Sequence, residues 1–212
     1  MLNVLLIDPP FPERPWDIKW LTQFPPKGLM YLAAYLRNAG VNVNVLDTKQ
    51  LQYEKPSLLS RSIEEIQQFV RYYISDKKPN IIGITSTTIS YIPATKIAKA
   101  AKEADPRAIV AIGGVHVTFM AHETLNECPW IDIVVRGEGE RPIFELAQGK
   151  PFSQIQGISY RQNGEIIDNP YGPLLTPEEI PIPAYDMLDM RNYAYVVLMC
   201  TRGCPHNCTF CE

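Results

Sequence analysis

Ile81-Ile-Gly-Ile-Thr85 and Ala108-Ile-Val-Ala-Ile112 flank a segment of helical periodicity over residues 94–104. The two flanking runs are short, apolar and rich in β-branched residues, which is typical of buried strands. Asp105-Pro106 ends the helix between them, because the residue before a proline is biased away from helical geometry. A strand, a helix and a second strand in this order predict a right-handed βαβ unit with parallel strands.

The same alternation of strands and helices continues on both sides of this unit. Val4-Leu-Leu-Ile7, the alternating valines of 41–45 and Ile131-Asp-Ile-Val-Val135 predict three more strands, and residues 29–40 and 63–74 predict two more helices. Helix-compatible segments also follow the fourth and fifth strands. Residues 1–150 are therefore predicted to form an α/β domain, a flavodoxin-like (Rossmann-like) five-stranded parallel sheet of order 2-1-3-4-5 with helices on both faces.

The pattern changes past residue 150. Residues 157–167 predict a β-hairpin around the turn Asn163-Gly164, and the proline-rich residues 170–185 predict a linker. Residues 151–192 are thus assigned to a hairpin and linker. Tyr193-Ala-Tyr-Val-Val-Leu-Met199 predicts a further strand that leads into a group of cysteines. Residues 193–212 are interpreted as the start of a second domain, a partial β/α barrel whose remainder is absent.

Composition and charge restrict the partners of this chain. Of its 212 residues, 46% are hydrophobic and 20% are charged, and the formal net charge of −3 gives no attraction for nucleic acid or for an anionic membrane surface. No apolar run approaches the roughly 20 residues that cross a bilayer, and the N-terminus lacks the basic segment of a signal peptide. We therefore expect a cytoplasmic protein, in which clustered thiols stay reduced and bind metal.

The cysteines are concentrated in Cys204-Pro-His-Asn-Cys208-Thr-Phe-Cys211. Three thiols at these spacings can wrap one face of an iron-sulfur cube, and the fourth iron stays open to an amine and a carboxylate of a chelating cofactor. Two alternatives remain open, both with Cys200 as a fourth ligand: a structural zinc site, or a fully ligated cluster in a ferredoxin-like electron carrier. Cys200 ends the predicted strand and is more simply explained as a small buried apolar residue.

Cys204-x3-Cys208-x-Phe210-Cys211, with an aromatic residue before the third cysteine, resembles the signature of radical S-adenosylmethionine (SAM) enzymes. Thr201-Arg-Gly-Cys-Pro205 resembles the lead-in to that signature in members with an N-terminal cobalamin-binding domain. Other stretches are similar to that subgroup in order and spacing, so the resemblance spans essentially the whole chain: Asp8-Pro-Pro10, Pro26-Lys-Gly28, Gly83-Ile-Thr-Ser86, Gly113-Gly-Val-His116, Val135-Arg-Gly-Glu-Gly-Glu140 and Pro183-Ala-Tyr-Asp186.

The resemblance implies that Cys204, Cys208 and Cys211 ligate a 4Fe-4S cluster, that SAM chelates the fourth iron, and that Phe210 lies near its adenine. An electron from a reductant such as flavodoxin or ferredoxin would let the cluster cleave SAM to a 5'-deoxyadenosyl radical, which abstracts hydrogen from a small-molecule or peptide substrate. In many such members methylcobalamin then supplies a methyl group. The implied function is the cobalamin- and cluster-binding part of a radical SAM enzyme, a methyltransferase or a related radical enzyme, and the 212 residues alone are expected to be inactive. The alternative is a stand-alone cobalamin-binding or iron-sulfur module.

The predicted sheet gives a separate reason to expect a cofactor site. Ligands of open α/β sheets bind beyond the carboxyl ends of the strands, near the point where the strand order reverses. Small and hydroxyl-bearing residues at those ends let a bulky corrin approach the backbone. The alternative is that they form only the tight turns of any doubly wound sheet. The candidate cobalamin contacts are Asp8, Pro9, Pro10, Ser86, Thr87, Thr88, Gly113, Gly114, Val115, His116, Gly137, Glu138 and Gly139.

The chain departs from one cobalamin-binding pattern. The Asp-x-His-x-x-Gly motif, by which methionine-synthase-like domains ligate cobalt, is absent, since residues 8–14 contain no histidine. Cobalamin is therefore expected to bind base-off, without a histidine ligand. His116 is kept as a candidate contact to the corrin, and His122 and His206 are predicted to lie on the surface. The chain also lacks the glycine-rich motifs that bind dinucleotides and nucleoside triphosphates.

Overall fold

The computed structural model describes residues 2–11, 24–49, 51, 62–204, 206, 208 and 209. Seven strands within these residues form one sheet of order β2-β1-β3-β4-β5-β6-β7. Strands β1 to β5 are parallel, and β6 and β7 are antiparallel to their neighbours. The predicted flavodoxin-like order of the five parallel strands is confirmed. The strands are β1 (Val4–Asp8), β2 (Val43–Asp47), β3 (Ile81–Thr85), β4 (Ile109–Gly113), β5 (Ile133–Val135), β6 (Ile158–Gln162) and β7 (Glu165–Asp168).

Helices cover both faces of the sheet, as predicted. The first and last helices pack on one face, and the other four pack on the opposite face. None of the described helices is long and apolar enough to cross a membrane. The helices are α1 (Lys27–Asn38), α2 (Ile63–Lys77), α3 (Tyr91–Ala104), α4 (Val115–Phe119), α5 (Ala121–Glu127) and α6 (Glu140–Ala147).

Local sequence sets where these elements begin and end. Ser62 and Glu65 form a capping box at the start of α2, and Lys78 ends that helix in the left-handed conformation with φ of 46°. All five residues of β1 are buried, as expected for a central strand of a parallel sheet that is covered on both faces.

The predicted hairpin is present, and it belongs to the same sheet. Asn163 and Gly164 both have positive φ, 53° and 85°, which matches the turn expected between two antiparallel strands. Strand β6 pairs with β5, with Ile133 opposite Tyr160. The sheet of the described residues therefore has seven strands, two more than the parallel set alone. An isolated hairpin is marginally stable, and the open edge of β5 supplies the partner that it needs.

Arg161 of β6 further ties the hairpin to the domain. Its guanidinium donates hydrogen bonds to the main-chain oxygen of Leu125 in α5 and to those of Cys128, Pro129 and Ile131 in the connection between α5 and β5.

Two expectations for the C-terminal part of the chain are wrong. Residues 193–199 form no strand, because no described strand lies beside them to complete a hydrogen-bonded ladder. Cys200 is exposed, where it was expected to be buried at the end of that strand. The proline-rich segment also packs on the domain more closely than a linker does, since Leu175 and Ala184 are buried and Ala184 N donates to Met30 O at 3.0 Å.

Candidate functional site

A cavity of about 490 Å³ opens at the carboxyl edge of the sheet. Strand β1 lies between β2 and β3, so the connections on its two sides diverge and leave a crevice at this edge. The cavity lies on the face that α1 and α6 cover. Its walls come from the ends of β3, β4 and β5, the start of α1, the residues 137–140 and the residues 199–203.

Small residues form the floor of this cavity. Gly83 of β3 is opposite Ala111 of β4, and Thr85 is opposite Gly113 in the same register. A β-carbon on Gly83 would lie 3.0 Å from Leu6 Cδ2, so little space remains for a larger residue there. Glycine weakens the interior of a strand and marks places where another group approaches the backbone. Gly83, Ala111 and Gly113 therefore add no long side chains to this floor.

Gly114 is required for the loops after β3 and β4 to meet. Its φ is 106°, and a β-carbon on it would lie 2.4 Å from the main-chain oxygen of Ser86. Ser86 N also donates to Gly113 O at 2.7 Å. The packing of the two loops is therefore enough to explain a glycine at position 114. This agrees with the alternative that such residues form only the tight turns of the sheet. Gly114 also lines the cavity.

The residues 137–140 carry two carboxylates that bind an arginine. Arg202 Nη1 lies 3.2 Å from Glu138 Oε1, and Arg202 Nη2 lies 2.7 Å from Glu140 Oε1. Burial disfavours the charged guanidinium, but the hydrogen bonds and charges of Glu140 and Glu138 outweigh it and raise the pKa of Arg202. The Arg202 guanidinium also lies 5.3 Å from the centroid of the Tyr31 ring. The negative charge of this loop is thus directed at the chain's own arginine.

A second group of charges lies at the carboxyl ends of β1 and β2. Asp8 is buried and forms an ion pair with Lys49, and Thr48 Oγ1 donates to Asp8 O at 2.7 Å. Burial raises the pKa of Asp8 to about 6, against the opposing effect of Lys49, and the nearby Asp47 raises it further. Tyr193 donates its hydroxyl to Asp47 Oδ2 at 2.5 Å. These groups hold the ends of the two strands and the C-terminal segment together.

The structure separates the predicted cobalamin contacts into two groups. Five line the cavity: Gly113, Gly114, Gly137, Glu138 and Gly139. The other eight are not part of its lining: Asp8, Pro9, Pro10, Ser86, Thr87, Thr88, Val115 and His116.

His116 is held away from the cavity by its neighbours. Its Nδ1 lies 3.2 Å from Thr88 Oγ1, and its ring centroid lies 4.4 Å from that of Tyr91. His122 and His206 are exposed, as predicted, and His122 Nε2 lies 2.7 Å from Asp168 Oδ2.

The cysteines are only partly described. Cys204 and Cys208 are exposed, whereas Phe210 and Cys211 lie outside the described residues. In the part of the chain that the structure describes, no three histidine, cysteine, aspartate or glutamate side chains come together in a way that could hold a metal ion. The iron-sulfur site stays a prediction from sequence.

Sequence reasoning missed several residues that line the cavity. Gly28 and Leu32 come from α1, Gly83 and Ala111 from inside the strands, and Arg202 from the C-terminal segment. A signal was present for three of them. Gly28 lies in the stretch Pro26-Lys-Gly28 that resembles the family, Gly83 interrupts a β-branched run, and Arg202 lies in the lead-in to the cysteines. The contribution of Leu32 and Ala111 depends on packing that no local pattern records.

Comparison with known proteins agrees with this fold. Residues 18–147, more than half of the chain, match the B12 binding domain. An uncharacterised methyltransferase of Pyrococcus horikoshii is 38% identical and aligns with 100% of this chain and 45% of its own length. The anaerobic magnesium-protoporphyrin IX monomethyl ester cyclase of Rubrivivax gelatinosus is 30% identical over 100% of this chain and 38% of its own length.

A solved structure shows the same fold. The radical S-adenosylmethionine methyltransferase TsrM from Kitasatospora setae, determined with cobalamin and a [4Fe-4S] cluster bound, superposes with a TM-score of 0.63 at 20% identity, over 87% of this chain and 31% of its own. The chain spans less than half the length of these relatives. With the family match over residues 18–147 and a crevice at the carboxyl edge of a flavodoxin-like sheet, the chain belongs to the B12-binding domain family.

Proposed function

We propose that this chain is the cobalamin-binding part of a radical SAM enzyme that carries out methyl transfer or a related radical reaction. One observation carries the proposal: the cavity at the carboxyl edge of the sheet takes part of its wall from residues 199–203, immediately before Cys204. Cys204, the first candidate ligand of an iron-sulfur cluster, thus follows directly on a segment that lines the candidate cobalamin cavity, which supports the proposal.

The lining of the cavity fits a large cofactor with an apolar part. Its floor is formed by Gly83, Ala111 and Gly113, and α1 contributes Leu29 and Leu32. A flat aromatic base, such as the one in the nucleotide tail of cobalamin, can lie against such a floor without displacing side chains. In this proposal Gly83, Ala111 and Gly113 contact the tail, and Gly137 and Gly139 let the corrin approach the backbone.

Bound cobalamin would supply a cobalt-carried methyl group. The chain's own residues would bind and orient it and keep water away from its buried part. No imidazole lies among the described residues that line the cavity, and His116 is held by Thr88 and Tyr91 outside it. In this proposal the nucleotide tail would lie in the cavity and not on the cobalt, so cobalamin would bind base-off and without a histidine ligand. Cys204, Cys208 and Cys211 would hold a 4Fe-4S cluster whose open iron binds SAM, and a small molecule or peptide would accept the methyl group.

The site can be tested by filling the cavity without disturbing the fold. Gly28 lies in the first turn of α1 and lines the cavity, and a β-carbon on it would meet no atom within 4 Å. Gly28→Leu should fold and should reduce the affinity for hydroxocobalamin by about tenfold or more, because its side chain occupies the ligand's space. Asn38→Leu is the matched control, since Asn38 is exposed at the other end of the same helix and is not part of the lining.

Binding is measured by the change in the absorbance spectrum of hydroxocobalamin on titration with each protein. We expect micromolar or tighter binding by the wild type and by Asn38→Leu. Equal binding by all three proteins would remove the cobalamin site from this cavity. Absence of binding by the wild type would mean that the domain shares the fold of cobalamin-binding domains and does not bind the cofactor.

A further inference from the structure

Residues 184–203, here called the strap, cross the carboxyl edge of the sheet and are fastened to it at several points. Ala184 N donates to Met30 O at 3.0 Å, and Tyr193 donates to Asp47 of β2. Near its end, Met199 N donates to the hydroxyl of Tyr31 at 2.9 Å. The strap thus follows α1 and the strand ends although residues 193–199 form no regular element.

Arg202 makes the strap's charged contact beside the cavity. Its side chain is 18% exposed, and its partner Glu140 is 6% exposed. Glu138 is itself held in place, because its second carboxylate oxygen accepts a hydrogen bond from Leu175 N at 2.8 Å. Arg202 Nε is buried and has no hydrogen-bond partner among the described residues. The carboxylates of Glu138 and Glu140 therefore compensate the charge of this largely buried guanidinium.

The position of this contact connects it to the ligand site. Met199, Thr201, Arg202 and Gly203 are part of the cavity wall, together with Glu138 and Glu140. A side chain that ties two walls of one cavity determines its shape. Cys204 follows Arg202 by two residues.

We propose that Arg202 is a positioning residue: its ion pairs with Glu138 and Glu140 hold the end of the strap as one wall of the cavity, so that a ligand in the cavity and the cysteine-bearing segment stabilise each other's position. The ligand in this statement is cobalamin, so the proposal rests on the proposed function. The coupling must be reciprocal, because two events that share one wall change each other's free energy by the same amount.

The chain offers a matched control for the substitution. Arg37 of α1 forms an ion pair with Asp186 of the same strap, but the two side chains are 44% and 67% exposed and lie away from the cavity lining. Both arginines link the strap to the domain, and only Arg202 does so in the cavity wall. A surface pair of this kind contributes little, whereas removal of one member of a buried pair leaves an uncompensated charge.

The experiment compares the full chain with Arg202→Gln, Glu140→Gln and Arg37→Gln. Two quantities are measured: the affinity for hydroxocobalamin, and the hydrogen exchange of residues 193–203 with and without hydroxocobalamin. Arg202→Gln and Glu140→Gln should each weaken binding by about 5- to 100-fold, and the double variant should be no weaker than the worse single variant. Arg37→Gln should change affinity less than about twofold.

Hydrogen exchange separates positioning from a general loss of stability. In the wild type and in Arg37→Gln, hydroxocobalamin should slow exchange over residues 193–203, and in Arg202→Gln it should not, while exchange in β1 and β3 stays the same in all proteins. Exchange of residues 193–203 that does not respond to hydroxocobalamin in a wild type that binds it would overturn the proposal. So would wild-type affinity in Arg202→Gln.

Failure of the proposed function gives a different result. If the wild type binds no hydroxocobalamin, the proposed function fails, and the hydrogen exchange without ligand still tests whether Arg202 holds the strap. Faster exchange over residues 193–203 in Arg202→Gln than in Arg37→Gln then supports Arg202 as the residue that holds the strap, and equal exchange rates overturn it. If Arg202→Gln does not fold, Glu138→Gln, which removes only the longer of the two ion pairs, takes its place.

Discussion

Gly114 and Ser86 approach so closely that a β-carbon on Gly114 would lie 2.4 Å from the main-chain oxygen of Ser86 and 2.9 Å from its nitrogen. This approach joins the loops after β3 and β4 at the edge of the cavity. The approach matters for stability, because Ser86 directly follows β3 and its main-chain atoms cannot move without disturbing that strand.

Gly114→Ala should lower the free energy of unfolding by about 3 kcal/mol or more, since it combines a main-chain clash with a positive φ. Gly164→Ala is the control: its φ is 85°, but no atom lies within 4 Å of the added β-carbon. That change should be limited to the strain of the left-handed backbone, about 1–2 kcal/mol. Urea unfolding monitored by circular dichroism measures both. An equal loss of unfolding free energy in the two variants would mean that the loops move apart to make room for the alanine side chain at position 114.

Asp8 should make stability depend on pH between about 4 and 6. Burial raises its pKa in the folded chain to about 6 from an ordinary value of 3.8, with Lys49 acting in the opposite direction. Between these values the folded state binds more protons at Asp8 than the unfolded state does, so the contribution of Asp8 to the free energy of unfolding falls as pH rises through this window.

The measurement is the difference in free energy of unfolding between the wild type and Asp8→Asn at several pH values. The wild type should lose stability relative to the variant from pH 4 to pH 6, and the difference should level off above about pH 7. A relative gain of the wild type over the same interval would show that the ion pair with Lys49 outweighs burial.

The cysteines should divide into one dispensable and three required residues. Anaerobic reconstitution with iron and sulfide should give normal cluster absorbance for Cys200→Ala and loss of it for the alanine variants of Cys204, Cys208 and Cys211, because three thiolates leave one iron open. Because Cys200 is exposed, its substitution tests whether its thiol is a cluster ligand and not whether its side chain is needed for packing. Equal loss in all four variants would favour a closed cluster or zinc.

Cobalt should carry no histidine from this chain. His116 is engaged by Thr88 Oγ1 at 3.2 Å and by the ring of Tyr91, outside the cavity. Because the proposed binding also keeps the cofactor's own base off the cobalt, electron paramagnetic resonance of the cobalt(II) form bound to the chain should lack nitrogen splitting and be the same in His116→Ala. Nitrogen splitting in the wild type that disappears in His116→Ala would contradict base-off binding without histidine.

The sequence by itself determined the parallel part of the fold and the edge of the sheet at which the cavity opens. Strand runs such as Ile81–Thr85 and the Asn163-Gly164 turn are local signals, since side-chain shape and backbone preference act over a few residues. The position of the cavity followed from topology, because the carboxyl ends of parallel strands with a reversal of order meet at one edge.

Tertiary structure decided which residues that are far apart in sequence come into contact. Whether the hairpin joined the sheet depended on the open edge of β5, and whether residues 193–199 formed a strand depended on a neighbouring strand. The pairing of Arg202 with Glu138 and Glu140 spans more than sixty residues. A charge reveals its partner only when folding removes both from water, and no local pattern in the chain records which carboxylate that will be.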